Sequence, residues 1–374
     1  MKQNDIIFIA KYPTGKRQQD GAAIRFLEID KIFKQFKRVY IESFSYPLNL
    51  LIYTILKEIK HNLLFKKSFK NDIISSHKFI NKKRTFKLFE NAKLIYIESY
   101  GNLIMLPPEI IKKYGYKMAF DCHGCAYEEA IMTNLEQWKI DNLMYYEKLA
   151  VENIKHFVVV SNNMKNYYIN KYSNAKNIDF IVLPIFPSSN IKIQDKQKDS
   201  INLIYSGRNY VWQNSELMIK SIAEIVKNKN KGNINYTFLT PDTEYYIDLA
   251  KKYGVENDIT IKSVAPNDLN QEYAKAHLGF ILRDDNVVNK VSCPTKLVEY
   301  MKSGIIPVVL QPEIGDFNNL GYKYILLSDL VEGNLPSNEQ LAEMQKINLK
   351  IIENIETNIE ETKKYIFELG TSTK

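Results

Sequence analysis

Cysteine is scarce in this chain, with three in 374 residues. Cys122, Cys125 and Cys293 are too few to staple so long a polypeptide, which excludes a disulfide framework and agrees with a reducing compartment. Cys122 and Cys125 have the C-x-x-C spacing of a metal or redox pair, but a zinc site needs a second pair and only Cys293 remains. Because His123 lies inside the pair, the C-x-x-C-H order of haem attachment is not met either. Long apolar runs are also missing. Residues 6–10 are too short for a signal-peptide core, and residues 48–56 are interrupted by Asn49 and Thr54 and cannot span a bilayer. The expected location is cytoplasmic, or peripheral on the inner face of the plasma membrane. No G-x-G-x-x-G occurs, so the nicotinamide-dinucleotide fingerprint is absent, and no internal repeat or low-complexity segment is found.

What is present points to two domains of ordinary size, each able to bury a core. Charged residues make up 25% and the mean hydropathy is −0.31, as in soluble globular proteins. Short β-rich runs alternate with helical patterns, the signature of βαβ units and parallel sheets. Strands are expected at 5–10, 38–42, 93–98, 117–121, 156–161 and 179–183, with one long helix over 127–153. A second set is expected at 201–206, 235–240, 258–261, 278–282, 306–310 and 324–327, with helices at about 214–228, 242–253, 266–276 and 295–303. Pro184, Pro187 and the polar run 188–200 mark the crossing between the two sets. Residues 338–368 have apolar side chains at helical spacing. Two doubly wound sheets leave a cleft at the carboxyl ends of their strands, so site residues should sit just after strands.

The net charge of +8 is concentrated in one place. Between Lys57 and Lys93 stand eleven Lys and Arg against three acids, so the rest of the chain is balanced. Phe65, Phe69, Phe79, Phe86 and several Leu and Ile are interleaved with them. Such a stretch suits an anionic membrane surface, or a pair of solvated helices on a sheet edge. No nucleic-acid-binding motif accompanies it, so nucleic acid is not an expected partner.

The most informative segment is SCPTKLVEYMKSGIIPVV, residues 292–309. Pro294 suits a first helical position, where its missing N–H is no loss. Residues 295–302 then read as two helical turns, ended by Gly304, which tolerates positive φ. The apolar run from Pro307 is fit for a buried parallel strand. The helix N-terminus therefore faces the preceding loop, where its N–H groups and dipole favour phosphate. Glu299 lies one turn on, at i+4 from Thr295. Anion site and carboxylate together could hold the phosphates and ribose of a nucleotide.

This segment resembles the donor-site motif of GT-B glycosyltransferases, in particular the retaining family 4 type found in bacterial capsule and exopolysaccharide synthesis. The resemblance implies an α/β fold of two Rossmann-like, doubly wound domains facing a central cleft. Residues 1–186 would form the acceptor-side domain and 187–354 the donor-binding domain, with helix 355–374 packing back on the first. It also implies that Glu299 binds the nucleotide ribose, with Pro294, Thr295 and Lys296 beside the diphosphate.

Other loops extend the resemblance. Ser206–Asn214, SGRNYVWQN, offers Gly207 for a tight turn beside a ligand and Arg208 for phosphate. Trp212-Gln213 stands where family members often carry a Lys, as in a subgroup of polysaccharide transferases. Family members also carry a Glu eight positions before Glu299; here it is Val291. Arg283 or Lys290 is then expected on phosphate, and Asp285 or Asn286 on the sugar. FDCHGCAYEE, residues 120–129, resembles the family's Asp-x-His-Gly segment and implies that His123 lies near the transferred sugar. Glu128 is either an acceptor-side contact or an acid placed for the helix dipole. After the first strand, Gly21 could admit the donor, while Lys16, Arg17 and Arg25 fall on the acceptor side.

The expected reaction transfers a sugar from a UDP- or GDP-type donor to a hydroxyl, with retention. The acceptor is a saccharide, lipid-linked or part of a growing surface polysaccharide. His123, Arg208 and Glu299 are the expected catalytic residues. Protein cations and helix N–H groups replace a divalent metal, and no other cofactor is implied. The alternatives are a nucleotide-sugar epimerase and an inactive partner that keeps the fold, the latter motivated by Val291.

Overall fold

A computed structural model describes residues 6–13, 21–42, 74–77, 82–186, 200–227, 234–265 and 268–371. The chain divides into two compact units. One is Met1–Pro184 with Asn358–Lys374, and the other is Ile185–Thr357.

The first unit carries a parallel sheet of seven strands: β1 Ile6–Ile9, β2 Arg38–Ile41, β3 Ile74–His77, β4 Leu94–Glu98, β5 Met118–Cys122, β6 His156–Val159 and β7 Asp179–Val182. Their order is β3-β2-β1-β4-β5-β6-β7. The sequence explains the centre of this sheet. Ile6-Ile7-Phe8-Ile9 is fully buried, which a parallel strand covered on both faces requires. β3 was not expected; its Ile-Ser-Ser-His sequence has no apolar run, and it lies at the sheet edge beside β2.

The second unit carries β8 Ile201–Ser206, β9 Ile234–Leu239, β10 Ile259–Lys262, β11 Leu278–Ile281, β12 Ile306–Val309 and β13 Ile325–Leu326. All pairings are parallel, in the order β10-β9-β8-β11-β12-β13. Both sheets are therefore doubly wound, with strand order reversing between β1 and β4 in the first and between β8 and β11 in the second. Ligands bind such sheets outside the carboxyl ends of the strands at those reversals.

Two expectations about helices are corrected. The pattern over 127–153 is two helices, Ala126–Met132 and Gln137–Asn153. The chain breaks between them, where Asn134 takes φ +52°. Pro294 is the residue before the helix Thr295–Lys302 and not its first turn. That helix ends as expected: Gly304 has φ +64°, its N–H donates to the Met301 carbonyl, and the Ile305 N–H donates to that of Tyr300. These are the paired bonds of a Schellman motif.

The C-terminal helix Asn338–Thr371 is continuous. Within the first unit, its Tyr365 hydroxyl donates to Asp179 Oδ2 at 2.7 Å, and Phe367 packs on Phe36 at 5.4 Å between ring centroids. Among the described residues no helix is long and apolar enough to cross a membrane. Most of the basic Lys57–Lys93 stretch lies outside the described residues.

Candidate functional site

In the second unit the chemistry gathers where β8 and β11 end. Gly207 follows β8 with φ +141°, and a Cβ there would fall 2.6 Å from Lys296 Nζ. A Cβ there would make the Lys296 head shift, and the positive φ itself favours glycine. Lys296 Nζ sits 4.2 Å from the centroid of the Tyr205 ring and donates to Gln213 Oε1 at 3.2 Å. Burial holds its pKa well below the ordinary lysine value, Arg283 lowers it further, and Glu299 opposes them. Arg283 follows β11. Its own pKa is lowered to about 10, chiefly by burial, and its buried Nε has no hydrogen-bond partner among the described residues. Two cations are thus held near each other with donor capacity to spare, an arrangement that favours an anion.

Glu299 completes this group from the helix Thr295–Lys302. Its Oε2 accepts from the Tyr273 hydroxyl at 3.1 Å, and that hydroxyl also contacts Ser206 Oγ. The Ser206 N–H in turn donates to the Tyr300 hydroxyl at 3.0 Å. The end of β8 and this helix are therefore tied through two tyrosines. Burial raises the Glu299 pKa, while Tyr273, Lys296 and Lys302 lower it. Thr295 opens the helix, half-buried, directly after Pro294.

Several expected contacts have other partners. The Arg208 side chain is 58% exposed and pairs with Asp242 Oδ1 at 3.3 Å. Lys290 is neutralised by Asp285 at 2.6 Å and Glu313 at 2.9 Å, which raise its pKa. Asn286 is an N-cap, its side chain accepting from the Asn289 N–H. Of the phosphate candidates, Arg283 lies with Lys296 and Lys290 does not. Gln213, the second half of the Trp-Gln pair, accepts from Lys296.

In the first unit the corresponding group lies at the ends of β4 and β5. Asp121 is fully buried and takes a two-pronged contact from Arg25, with Nη2 to Oδ1 at 2.7 Å and Nε to both oxygens at 3.1 Å. The Tyr96 hydroxyl donates to Oδ2 at 2.7 Å. Burial works to raise the Asp121 pKa, but Arg25 and His123 outweigh it and hold it below the usual carboxylate range. His123 Nε2 stands 3.2 Å from Asp121 Oδ2 and Nδ1 stands 3.8 Å from Glu98 Oε1.

Arg25 is therefore engaged by Asp121 and by backbone. It is 4% exposed, and Nη1 donates to the Leu183 carbonyl at 2.8 Å. Glu128 is engaged as well, accepting from Lys171 at 2.8 Å and from the Tyr167 hydroxyl. Gly21 begins the helix Gly21–Ile32. Lys16 and Arg17 lie outside the described residues. Glu98 was missed, since it belongs to no motif and only the strand register sets it opposite Asp121. Among the described residues no cluster of His, Cys, Asp or Glu could hold a metal ion.

No protein-family model matches the chain. No curated protein matches it either. Solved structures do. A trehalose-6-phosphate structure from E. coli bound with UDP-2-fluoro glucose is 13% identical, covers 98% of this chain and 99% of its own, and has a TM-score of 0.59. Anabaena HepE in complex with UDP and glucose is 13% identical, with 95% and 97% covered and a TM-score of 0.61. WaaG, a glycosyltransferase involved in lipopolysaccharide biosynthesis, is 11% identical, with 98% and 100% covered and a TM-score of 0.57. Together with the two doubly wound sheets, these likenesses over nearly the entire chain show that it has the GT-B fold.

Proposed function

We propose that this chain is a retaining glycosyltransferase, moving a sugar from a nucleotide-diphosphate donor of UDP or GDP type to a hydroxyl acceptor. The observation that carries the reading is Lys296 beside Gly207, with the like charge of Arg283 acting on it, because the buried Arg283 Nε has no partner among the described residues and both groups follow strands at the strand-order reversal. A diphosphate would satisfy both. Glu299, one turn along the same helix, then receives the ribose hydroxyls. As the anomeric bond breaks, charge grows on the leaving diphosphate. Lys296, Arg283 and the N–H groups at Thr295 stabilise it without a divalent metal, and removing one such donor costs about 3 kcal/mol in rate. The relatives crystallised with UDP or UDP-2-fluoro glucose support a UDP-type donor.

The acceptor in this proposal is a lipid-linked or growing surface saccharide, as in capsule assembly. The first unit serves the acceptor through His123, and the basic Lys57–Lys93 stretch rests on the inner face of the membrane. The test is a screen for nucleotide release from UDP- and GDP-sugars, with wild type and Glu299→Ala. Release from one donor by wild type, lost in the variant through a raised KM, supports the reading.

An inactive partner is the second reading. Val291, which stands where the family carries its first Glu, is 4% exposed and packs in the interior. Calorimetry separates the two, since absence of UDP and GDP binding at millimolar concentration would leave only the second. Donor turnover without any acceptor would instead indicate an epimerase.

A further inference from the structure

We propose that Tyr210 and Trp212, stacked on one another in the turn after β8, form a platform for the flat face of a pyranose ring. The inference rests on the glycosyltransferase reading and adds to it a contact that selects the sugar.

The two rings lie 4.9 Å apart between centroids and 17° from parallel. Tyr210 is 48% exposed, and Val211 between them in sequence is 73% exposed. Single exposed apolar residues are ordinary, but stacked Tyr and Trp rings beside an arginine have the composition of a binding contact. The turn that carries them is tied down on several sides. The Asn209 N–H donates to Asp242 Oδ2 at 2.8 Å, and the Arg208 carbonyl accepts from the Tyr205 hydroxyl at 2.8 Å. Ser215 Oγ donates to Asn209 Oδ1 at 3.1 Å. Asn214 Nδ2 donates to the Leu282 carbonyl at 3.2 Å and to Asp284 Oδ1 at 2.9 Å. Residues 211–213 make a single 3₁₀ turn, and Gln213 anchors its end by accepting from Lys296. Rings presented on so constrained a turn are pre-placed, so a ligand meets them at little ordering cost.

The chemistry of this surface matches a sugar. One face of a pyranose carries C–H bonds made electropositive by neighbouring oxygens, and an aromatic face is the negative part of the ring quadrupole. Hydroxyls radiate from the edge of the pyranose and need donors and acceptors around it. The same turn supplies both kinds, since the exposed pair of Arg208 and Asp242 carries N–H groups and carboxylate oxygens.

The platform also adjoins the phosphate end of the site. Gly207 and Gln213, which bracket the turn, both lie against Lys296, whereas Glu299 stands one turn further along that helix. In a nucleotide sugar the base lies beyond the ribose and the pyranose beyond the diphosphate. With ribose at Glu299 and diphosphate at Lys296, the part that extends past Lys296 is the sugar. A pyranose of the donor and one of the acceptor share this chemistry, and the experiment separates them.

The test compares wild type with Tyr210→Ala, Tyr210→Phe and Trp212→Ala. It uses the nucleotide sugar selected by the release screen, with alkyl glycosides as acceptors and UDP as the binding probe. Loss of either ring should raise the KM for a pyranose-bearing substrate roughly three- to tenfold, with UDP affinity kept within about twofold. A raised donor KM assigns the platform to the donor's sugar, and a raised acceptor KM assigns it to the acceptor. Tyr210→Phe keeps the ring face and should keep both KM values. Trp138 and Trp212 are the two tryptophans of the chain. In a Trp138→Phe background the emission is therefore that of Trp212, and it should titrate with the substrate whose KM moved. Tyr210→Ala, on the exposed ring, carries the test if the Trp212 variant does not fold. An active wild type with both KM values unchanged in the alanine variants overturns the inference alone. Equal losses for UDP and for the nucleotide sugar would assign the rings to the base or the phosphates and overturn it as well. A wild type that binds no nucleotide overturns the proposed function and the inference with it.

Discussion

Lys296 and Gln213 lie 83 positions apart in sequence, yet the ammonium of one donates to the amide oxygen of the other at 3.2 Å. A neutral acceptor and the Tyr205 ring are what that ammonium has beside it, together with the like charge of Arg283 and the opposing Glu299. Burial and Arg283 therefore hold the lysine well below its usual pKa. A diphosphate arriving there favours the charged form and draws a proton in. The sign follows: a group whose pKa rises on binding strengthens binding below its unliganded pKa, and that gain fades as pH climbs through the liganded one. UDP titrations at mildly alkaline pH, in buffers of different ionisation enthalpy, should show net proton uptake. Lys296→Met should abolish the uptake and weaken UDP at least tenfold. Heats independent of buffer in wild type would count against this account.

Arg283 should discriminate by phosphate content. Charge-assisted hydrogen bonds contribute about 1.5–3 kcal/mol, so Arg283→Ala should cost UDP about ten- to a hundredfold in affinity and leave uridine unaffected. Glu299→Ala should instead weaken both, because both carry the ribose. Calorimetry with UDP and uridine on the two variants reads this directly. Equal losses for both ligands in Arg283→Ala would place the guanidinium away from the phosphates.

The sheets were legible because their strands are locally redundant. Ile6–Ile9 and Ile306–Val309 are apolar on both faces, and short helical patterns separate them from their neighbours. β3 was hidden because Ser75 and Ser76 break the apolar signal within a strongly basic stretch. The break at Asn134 was hidden for the opposite reason, as Ile131, Leu135 and Trp138 continue helical spacing across it although all three are exposed. Sequence put Lys296 and Glu299 on one short helix because that helix carries its own start and stop signals. The pairing of Arg208 with Asp242 was not legible, since exposure and a partner distant in sequence leave no local mark. Glu98 was beyond reach, being brought beside His123 only through β4–β5 register.

Arg25→Met should destabilise the first unit. It leaves Asp121, fully buried, with a charge answered by Tyr96 and His123 alone among the contacts described. Breaking a buried pair in this way costs about 3–5 kcal/mol, measurable as a lower denaturant midpoint. The intact pair also predicts acid sensitivity. Asp121 has its pKa depressed in the folded state, so its contribution is complete above the unfolded value of 3.8 and is lost as pH falls below it. Arg25→Met should flatten that acid loss, and an unchanged midpoint would show that the pair contributes little.

Arg208 gives the contrasting case. Its pairing with Asp242 is solvent-exposed, and exposed ion pairs contribute roughly 0–1 kcal/mol. Arg208→Ala should therefore leave the denaturant midpoint almost unmoved. If the guanidinium swings from Asp242 onto the donor during transfer, kcat should fall at least tenfold while UDP affinity stays within about threefold, because the contact is made chiefly in the transition state. Asp242→Asn, which releases Arg208 without removing it, should then preserve kcat. A kcat within twofold of wild type in Arg208→Ala would leave transition-state charge to Lys296, which lies beside Gly207, and to Arg283, whose charge acts on it.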